Sequence, residues 1–524
     1  MSDFLFGDLS PSTAILGILL GMLLAVVSCG LGAVMPRLLK PTVTASGEKK
    51  EYMDLVSNGQ VLFDDNRKEG QTCVHSAQIF EKQVDFNAFS KQFCKIYGSN
   101  GRFGQRLVNK GDERPYWIKP DPYWRPEDNI SCVTDRTDHK GFEEMLGKMC
   151  ATPLPLSQPL WQLVYFQNYV REDNGELTSA FIWKYHHSMA DGFTAMRHTC
   201  SHCVPVAEGQ KMEDVFIKPK AGAKRSRPSL LTIAKKTVTA FCKLVFLPKD
   251  PVSPCKPNYT QHHGSKRATA FTYLGEEFSV AKIKEIAHSA TTTDHKKSVN
   301  DVLLAAISRA LGMYCEEKKD KMDNVKIPEN FQSAMWVSLD RASPFKFEEG
   351  ERRWGNEGLG VCYLSLPIGV KSAVDQLNIV YHRIRDLIGS PEPLLANKLQ
   401  ALIALLPYPI AHFLWPRVTD KVTLSISNVP GPQAQLRWPV NRDEDLKEQI
   451  PRSGIIRDML FFVPPVYDIG IMASIISYNN RVNVGMTTAG EWIDQDDVHH
   501  IIYDLVPRAM RDIRDGVASC ENTE

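Results

Sequence analysis

The sequence predicts an α/β protein in which two mixed-sheet domains face each other across an active-site cleft, carried on one N-terminal transmembrane helix. Three observations predict it. The chain has 524 residues, too many for one compact core, so two domains of about 200 residues each are expected. β-type runs alternate with helical stretches through both halves, the pattern of mixed α/β layers. Residues 14–35 are uncharged and overwhelmingly apolar.

Residues 1–13 read as a short tail ahead of that apolar stretch. About 22 positions at about 1.5 Å each give roughly 33 Å of helix, enough to cross a bilayer. A cleaved signal peptide has a shorter apolar core preceded by basic residues, whereas only Asp3 and Asp8 precede this one. Arg37, Lys40, Lys49 and Lys50 follow it, so the positive-inside rule places the large C-terminal body in the cytosol. The expected location is a single-pass membrane protein of the endoplasmic reticulum or of lipid droplets. Glycans on the sequons at Asn129 or Asn258 would reverse that orientation. Gly17 and Gly21 are spaced to pack a partner helix, or reflect ordinary glycine use in membrane helices.

Residues 51–207 read as the first domain, with helices over 86–97 and 142–150, β-type runs over 161–170 and 178–185, and a closing helix after Gly192. From 208 to 265 the composition turns to Lys, Pro and Ser, which marks a linker. It surrounds an amphipathic stretch, 229–247, where Ile233, Phe241 and Leu244 are interspersed with Lys235, Lys236 and Lys243. Such a helix lies on a membrane surface or packs on its own domain.

Residues 266–518 read as the second domain. It opens with a β-type run over 269–274 and a helix over 279–289. Ser298 and Asp301 then form a capping box before the apolar helix 302–314. Further β-type runs fall at 332–339, 360–366, 421–427, 460–463 and 471–476. The stretch 399–415 is almost wholly apolar but contains Pro407 and Pro409. It reads as a broken helix that lines a lipid entrance or touches the bilayer, or as a buried core helix.

A net charge of +1 carries no footprint of a nucleic-acid partner or a strongly acidic substrate. The 12 cysteines are scattered, which suits a reducing, cytosol-facing environment. Cys200 and Cys203 bracket His202, but no second pair follows at ligand spacing, so no metal site is assigned.

The chemistry concentrates in Trp183-Lys184-Tyr185-His186-His187-Ser188-Met189-Ala190-Asp191-Gly192. A β-type run delivers two histidines to a turn, and Asp-Gly follows. This spacing lets one imidazole enter a cleft while the aspartate turns back to brace the loop. An imidazole, with an ordinary pKa of about 6.5, suits a general base at neutral pH. No Gly-x-Ser-x-Gly elbow is present, and no cysteine stands beside a suitable histidine in sequence. Direct transfer is therefore favoured over a covalent intermediate.

The pattern resembles the His-His-x-x-x-Asp-Gly signature of the acyl-CoA-dependent acyltransferases. These include chloramphenicol acetyltransferase, peptide-synthetase condensation domains and the wax ester synthase/diacylglycerol acyltransferase family. Pro155 to Trp161, Val299-Asn300-Asp301 to Ala305, Gly355-Asn356 to Leu366-Pro367, Ser427 to Pro432 and Ile476 to Asn479 are similar, in order, to segments of that last family. The resemblance spans roughly residues 60 to 510.

It implies two chloramphenicol-acetyltransferase-like domains with an interdomain tunnel, acyl-CoA as co-substrate, no other cofactor, and a lipid alcohol or diacylglycerol as acceptor. His187 would be the base, with His186 packed or hydrogen-bonded behind it and Gly192 supporting the loop. Asp191 would pair with Arg341, although the inserted Asp340 leaves that register open. Asn300 would line the site or start its helix; Ser427 and Asn428 would line the tunnel or shape a turn. Alternatives are a catalytically silent lipid-binding scaffold, or an acyltransferase for another alcohol or an amine.

Overall fold

The computed structural model describes residues 44 and 47–521, apart from 66–70, 99–100, 110–113, 217–229, 258–265, 292–295, 322–325, 340–353, 407–409, 412, 415–420, 440–453, 464 and 466–468. The apolar stretch 14–35, Asn258, Arg341, Pro407 and Pro409 lie outside the described residues. Among the described residues, no helix is long and apolar enough to cross a membrane.

The strands that position the site are β1 (Cys73–Phe80), β2 (Ile130–Thr137), β3 (Trp161–Val170), β4 (Leu177–His186), β5 (Arg267–Tyr273) and β6 (Asn330–Ser338). They continue with β7 (Leu359–Pro367), β8 (Leu424–Pro430), β9 (Ile456–Phe462), β10 (Ile471–Tyr478) and β11 (Arg481–Ala489). The helices that matter here are α1 (Leu55–Asp65), α2 (Phe86–Phe93), α3 (His139–Ala151), α4 (Gly192–Ser201), α5 (Leu230–Phe246), α6 (Val280–Ser289), α7 (Val299–Lys318), α8 (Ala373–Leu387) and α9 (Glu392–Ile403).

Two sheets result, one in the order β9-β1-β4-β3-β2 and one in the order β7-β6-β8-β10-β11-β5. The first is mixed: β3 runs antiparallel to β4 and parallel to β2. One face packs on α2, whose Phe89 and Phe93 are buried against Phe181, with Phe93 also against Trp183. The other face packs on α3 through Phe142 and Phe166. Asp85 and Asp138 cap those two helices with side-chain oxygens on the backbone N–H groups of Ala88 and Gly141, supplying acceptors that the first helical turn lacks. The second sheet is covered by α6, α7 and α8, and α7 is buried around most of its circumference.

β9 belongs by sequence to the 266–518 stretch, yet it pairs antiparallel with β1. Met459 packs into one side of the first sheet and Leu460 and Phe462 into the other. The two halves are thus joined by an exchanged strand, and the sequence division does not follow the sheets.

The stretch 208–265 also carries more structure than a linker. α5 is seated on the second half, with Ala240, Phe241 and Leu244 buried and Lys243 donating to Glu392 at 2.9 Å. Its lysines 235 and 236 remain exposed. Asn129 is buried, and its amide donates to Pro159 O at 3.1 Å.

Candidate active site

β4 ends at His186, which stands opposite Cys73 at the start of β1. The chain then turns, and the His187 N–H donates to Thr72 O at 2.7 Å. Asp191 ends the turn as the N-cap of α4: its φ of −73° and ψ of 163° are extended, and its carboxylate accepts from the Thr194 N–H at 2.6 Å. This is the brace expected of an aspartate four residues beyond the second histidine. Burial raises the Asp191 carboxyl above its usual range, opposed by the Thr194 N–H and by the charge of Arg197.

The Gly355-Asn356 pair closes around the same turn. Gly355 N–H donates to Met189 O at 2.9 Å, and Asp191 N–H to Gly355 O at 3.3 Å. Asn356 Nδ2 donates to His187 O at 2.7 Å, and the Asn356 N–H donates to Ser57 Oγ at 3.0 Å. Gly355 has φ of 108°, and a Cβ there would lie 2.2 Å from Asp54 Oδ2, so no other residue fits without displacement.

The adjacent histidines have opposite environments. His186 is fully buried. Its Nδ1 accepts from the Ser188 N–H at 3.1 Å and lies 2.6 Å from Ser188 Oγ. That acceptor role leaves the proton on Nε2, which faces the Asp64 carboxylate. Asp64 in turn accepts from the Thr72 N–H at 2.6 Å.

His187 is only partly buried and lines a cavity of about 370 Å³. Its Nδ1 is buried, which leaves Nε2 as the nitrogen available to the cavity. Burial above all, and the neighbouring His186, pull its pKa down to about 4, against the opposing effects of its own carbonyl, Asn356 and Asp64. The ring is neutral at physiological pH and able to accept a proton.

Both sheets line the cavity. Asp191, Gly192 and Phe461 come with His187 from one side; Trp336, Ser427, Asn428, Met472 and Ser474 come from the other. Ser427 and Ser474 are register partners on β8 and β10. Asn300 is absent from the lining and stands behind it, its Oδ1 accepting from Asn428 Nδ2 at 2.8 Å. Of the residues singled out from sequence, the structure therefore brings His187, Asp191, Gly192, Ser427 and Asn428 to one cavity, with His186 and Asn300 directly behind.

Asp64, Ser474 and Phe461 were not singled out, and nothing local marks them. Asp64 sits near the end of an ordinary helix and meets His186 only through the fold. The pairing of Asn356 with the His187 carbonyl was signalled only by its place in a motif. Among the described residues no three metal-ligating side chains converge.

With this geometry in place, comparison with known proteins is informative. Residues 354–506 match the model of the WS/DGAT C-terminal domain. Over that segment the chain is similar to the WS/DGAT family. Wax ester synthase/diacylglycerol acyltransferase 3 of Arabidopsis thaliana is 24% identical over 368 residues, which are 64% of this chain and 72% of the relative. The solved wax ester synthase/diacylglycerol acyltransferase from Marinobacter aquaeolei VT8 superposes with a TM-score of 0.58 at 17% identity, covering 89% of this chain and all of the other. The first condensation domain of the CDA synthetase shares the fold with a TM-score of 0.53 at 11% identity, over 89% of this chain and 97% of that one.

Proposed function

We propose that this protein esterifies a long-chain alcohol or diacylglycerol with a fatty acyl group from acyl-CoA, using His187 as general base. The observation that carries this reading is the neutral imidazole of His187, with one nitrogen buried and the other turned to a cavity lined from both sheets.

His187 Nε2 takes the acceptor's hydroxyl proton as its oxygen attacks the thioester carbonyl. The tetrahedral intermediate collapses, the C–S bond breaks, and the imidazolium returns the proton to the departing coenzyme A thiolate. No acyl-enzyme is needed, and burial pushes the nearby Cys73 thiol up to about 12, which keeps it protonated and a poor nucleophile. Ser427, Asn428 and Ser474 are placed to position the reacting groups and offer polar contacts to the developing charge. The chemistry calls for no metal or prosthetic group beyond the co-substrate.

A membrane setting belongs to the same proposal. The apolar stretch 14–35 serves as a single-pass anchor with the body in the cytosol, in the endoplasmic reticulum or on lipid droplets. Two structural features support it. Leu394 on α9 and Leu405, Ile410 and Phe413 beyond it are 38–56% exposed, an unusual display of large apolar side chains. α1, the first helix described after the apolar stretch, is tied to this region through Asn58 Nδ2, which donates to Ala404 O at 3.2 Å.

The test is incubation of membranes carrying the protein or its His187→Ala variant with labelled acyl-CoA and a panel of alcohols and diacylglycerol. Ester formation is expected from the wild type, with a rate about 10² to 10⁴ higher than the variant's. Equal rates would refute the base.

A further inference from the structure

Beside the main cavity of about 370 Å³ lies a smaller chamber of about 40 Å³. Four residues line both: Val74, Gly192, Val429 and Phe461. Past them the chamber wall carries Met196, Met459 and Ile476. Of the polar side chains that also line it, two are engaged elsewhere, while Trp183 Nε1 is buried without a hydrogen-bond partner. Thr199 Oγ1 lies 2.7 Å from Tyr97 OH, and Gln78 Oε1 accepts from Trp438 Nε1 at 2.7 Å. A polar guest would gain nothing from those atoms, whereas a hydrocarbon loses only water contact by entering.

The junction between the two spaces is itself informative. Gly192 begins α4, and a Cβ built on it would meet no atom within 4 Å. Packing therefore does not demand glycine there. A side chain at this position would instead project into open space beside both cavities. Phe461, register partner of Ser76 on β1, is the bulky member of the same set of four.

We propose that the small chamber receives the far end of a linear hydrocarbon chain, acyl or alkyl, whose reacting end lies at His187. Phe461 and the missing side chain at Gly192 form the neck that sets how long a chain is accepted. This rests on the acyltransferase reading above and adds to it a specificity-determining residue.

The test uses the full-length protein in membranes and two substrate ladders. Saturated acyl-CoAs of about ten to about twenty carbons are assayed with one alcohol, and alcohols of the same range with one acyl-CoA, each extra methylene in an apolar pocket being worth about 10-fold or more in kcat/KM. Phe461→Ala is expected to move the upper chain-length cut-off of one ladder to longer chains, with at least about a tenfold gain beyond the wild-type limit. Met196→Phe, at the chamber's inner wall, is expected to move the same cut-off to shorter chains. The ladder that responds identifies the chain as acyl or alkyl. Phe461→Leu supplies the neck variant should the alanine protein fail to fold. Ester formation with both cut-offs unchanged in every variant would overturn the chamber while leaving the acyltransferase reading intact. No ester from the wild type with any substrate pair would overturn the acyltransferase reading, and the chamber's role with it.

Discussion

On one wall of the cavity, the turn from His187 to Asp191 is held by Thr72, Ser57 through Asn356, Gly355, and its own cap on α4. On the other wall, Ser427, Asn428 and Ser474 stand on adjacent parallel strands, and among the described side-chain bonds only Asn428 to Asn300 restrains them. The wall that carries the proposed base is clamped by segments distant in sequence, while the wall proposed to meet substrate rests on its strand ladder. A base must be held to a fraction of an ångström to act; a surface that chooses among lipid chains gains from tolerance. Substitutions on the first wall should therefore damage stability and turnover together, and those on the second should change substrate preference.

The largest effect is expected at Gly355. Replacement by Ala puts a Cβ against Asp54 at a backbone angle that L residues rarely adopt, which should cost at least about 2 kcal/mol in urea unfolding and lower kcat at least about tenfold by displacing Asn356. A variant of wild-type stability would show that the clamp is not needed. Next comes Asp64→Asn, which keeps the shape but removes the carboxylate that receives the His186 and Thr72 N–H groups. A loss of about 1–3 kcal/mol is expected, with kcat falling about tenfold and KM little changed. An effect on KM alone would move Asp64 out of the positioning role.

The smallest effect sharpens the other side of the comparison. Ser474→Ala is expected to leave the unfolding midpoint within about 0.5 kcal/mol of wild type while changing the kcat/KM ratio between two alcohols a few-fold. Equal losses for all alcohols would give Ser474 a part in the chemistry instead.

Local features were legible in the sequence because they are local. β3 runs over the stretch its alternation marked, 161–170, and the capping box at Ser298 opens α7, with Ser298 N–H donating to Asp301 at 2.7 Å. The turn chemistry around His187 and Asp191 lies within one short segment, so pattern alone located it. Features that depend on distant pairing were not legible. The alternation in β9 says that it is a strand but not that it crosses to the first sheet, and nothing in Leu62-Phe63-Asp64 announces a partner at His186. The lysines of α5 suggested a membrane face as readily as a packed one; Ala240, Phe241 and Leu244 are packed against the protein.

The central claim, that a neutral His187 draws the proton from the acceptor, is tested most directly by the pH dependence of kcat for the wild type and His187→Ala. Because burial depresses the imidazole pKa to about 4, the active neutral form persists through neutral pH and is lost only as pH falls through that value. The wild-type acidic limb is expected near pH 4 rather than near the unperturbed value of about 6.5, and the variant should be slower by about 10² or more with that limb gone. A His187→Ala protein with wild-type turnover and the same acidic limb would contradict the account.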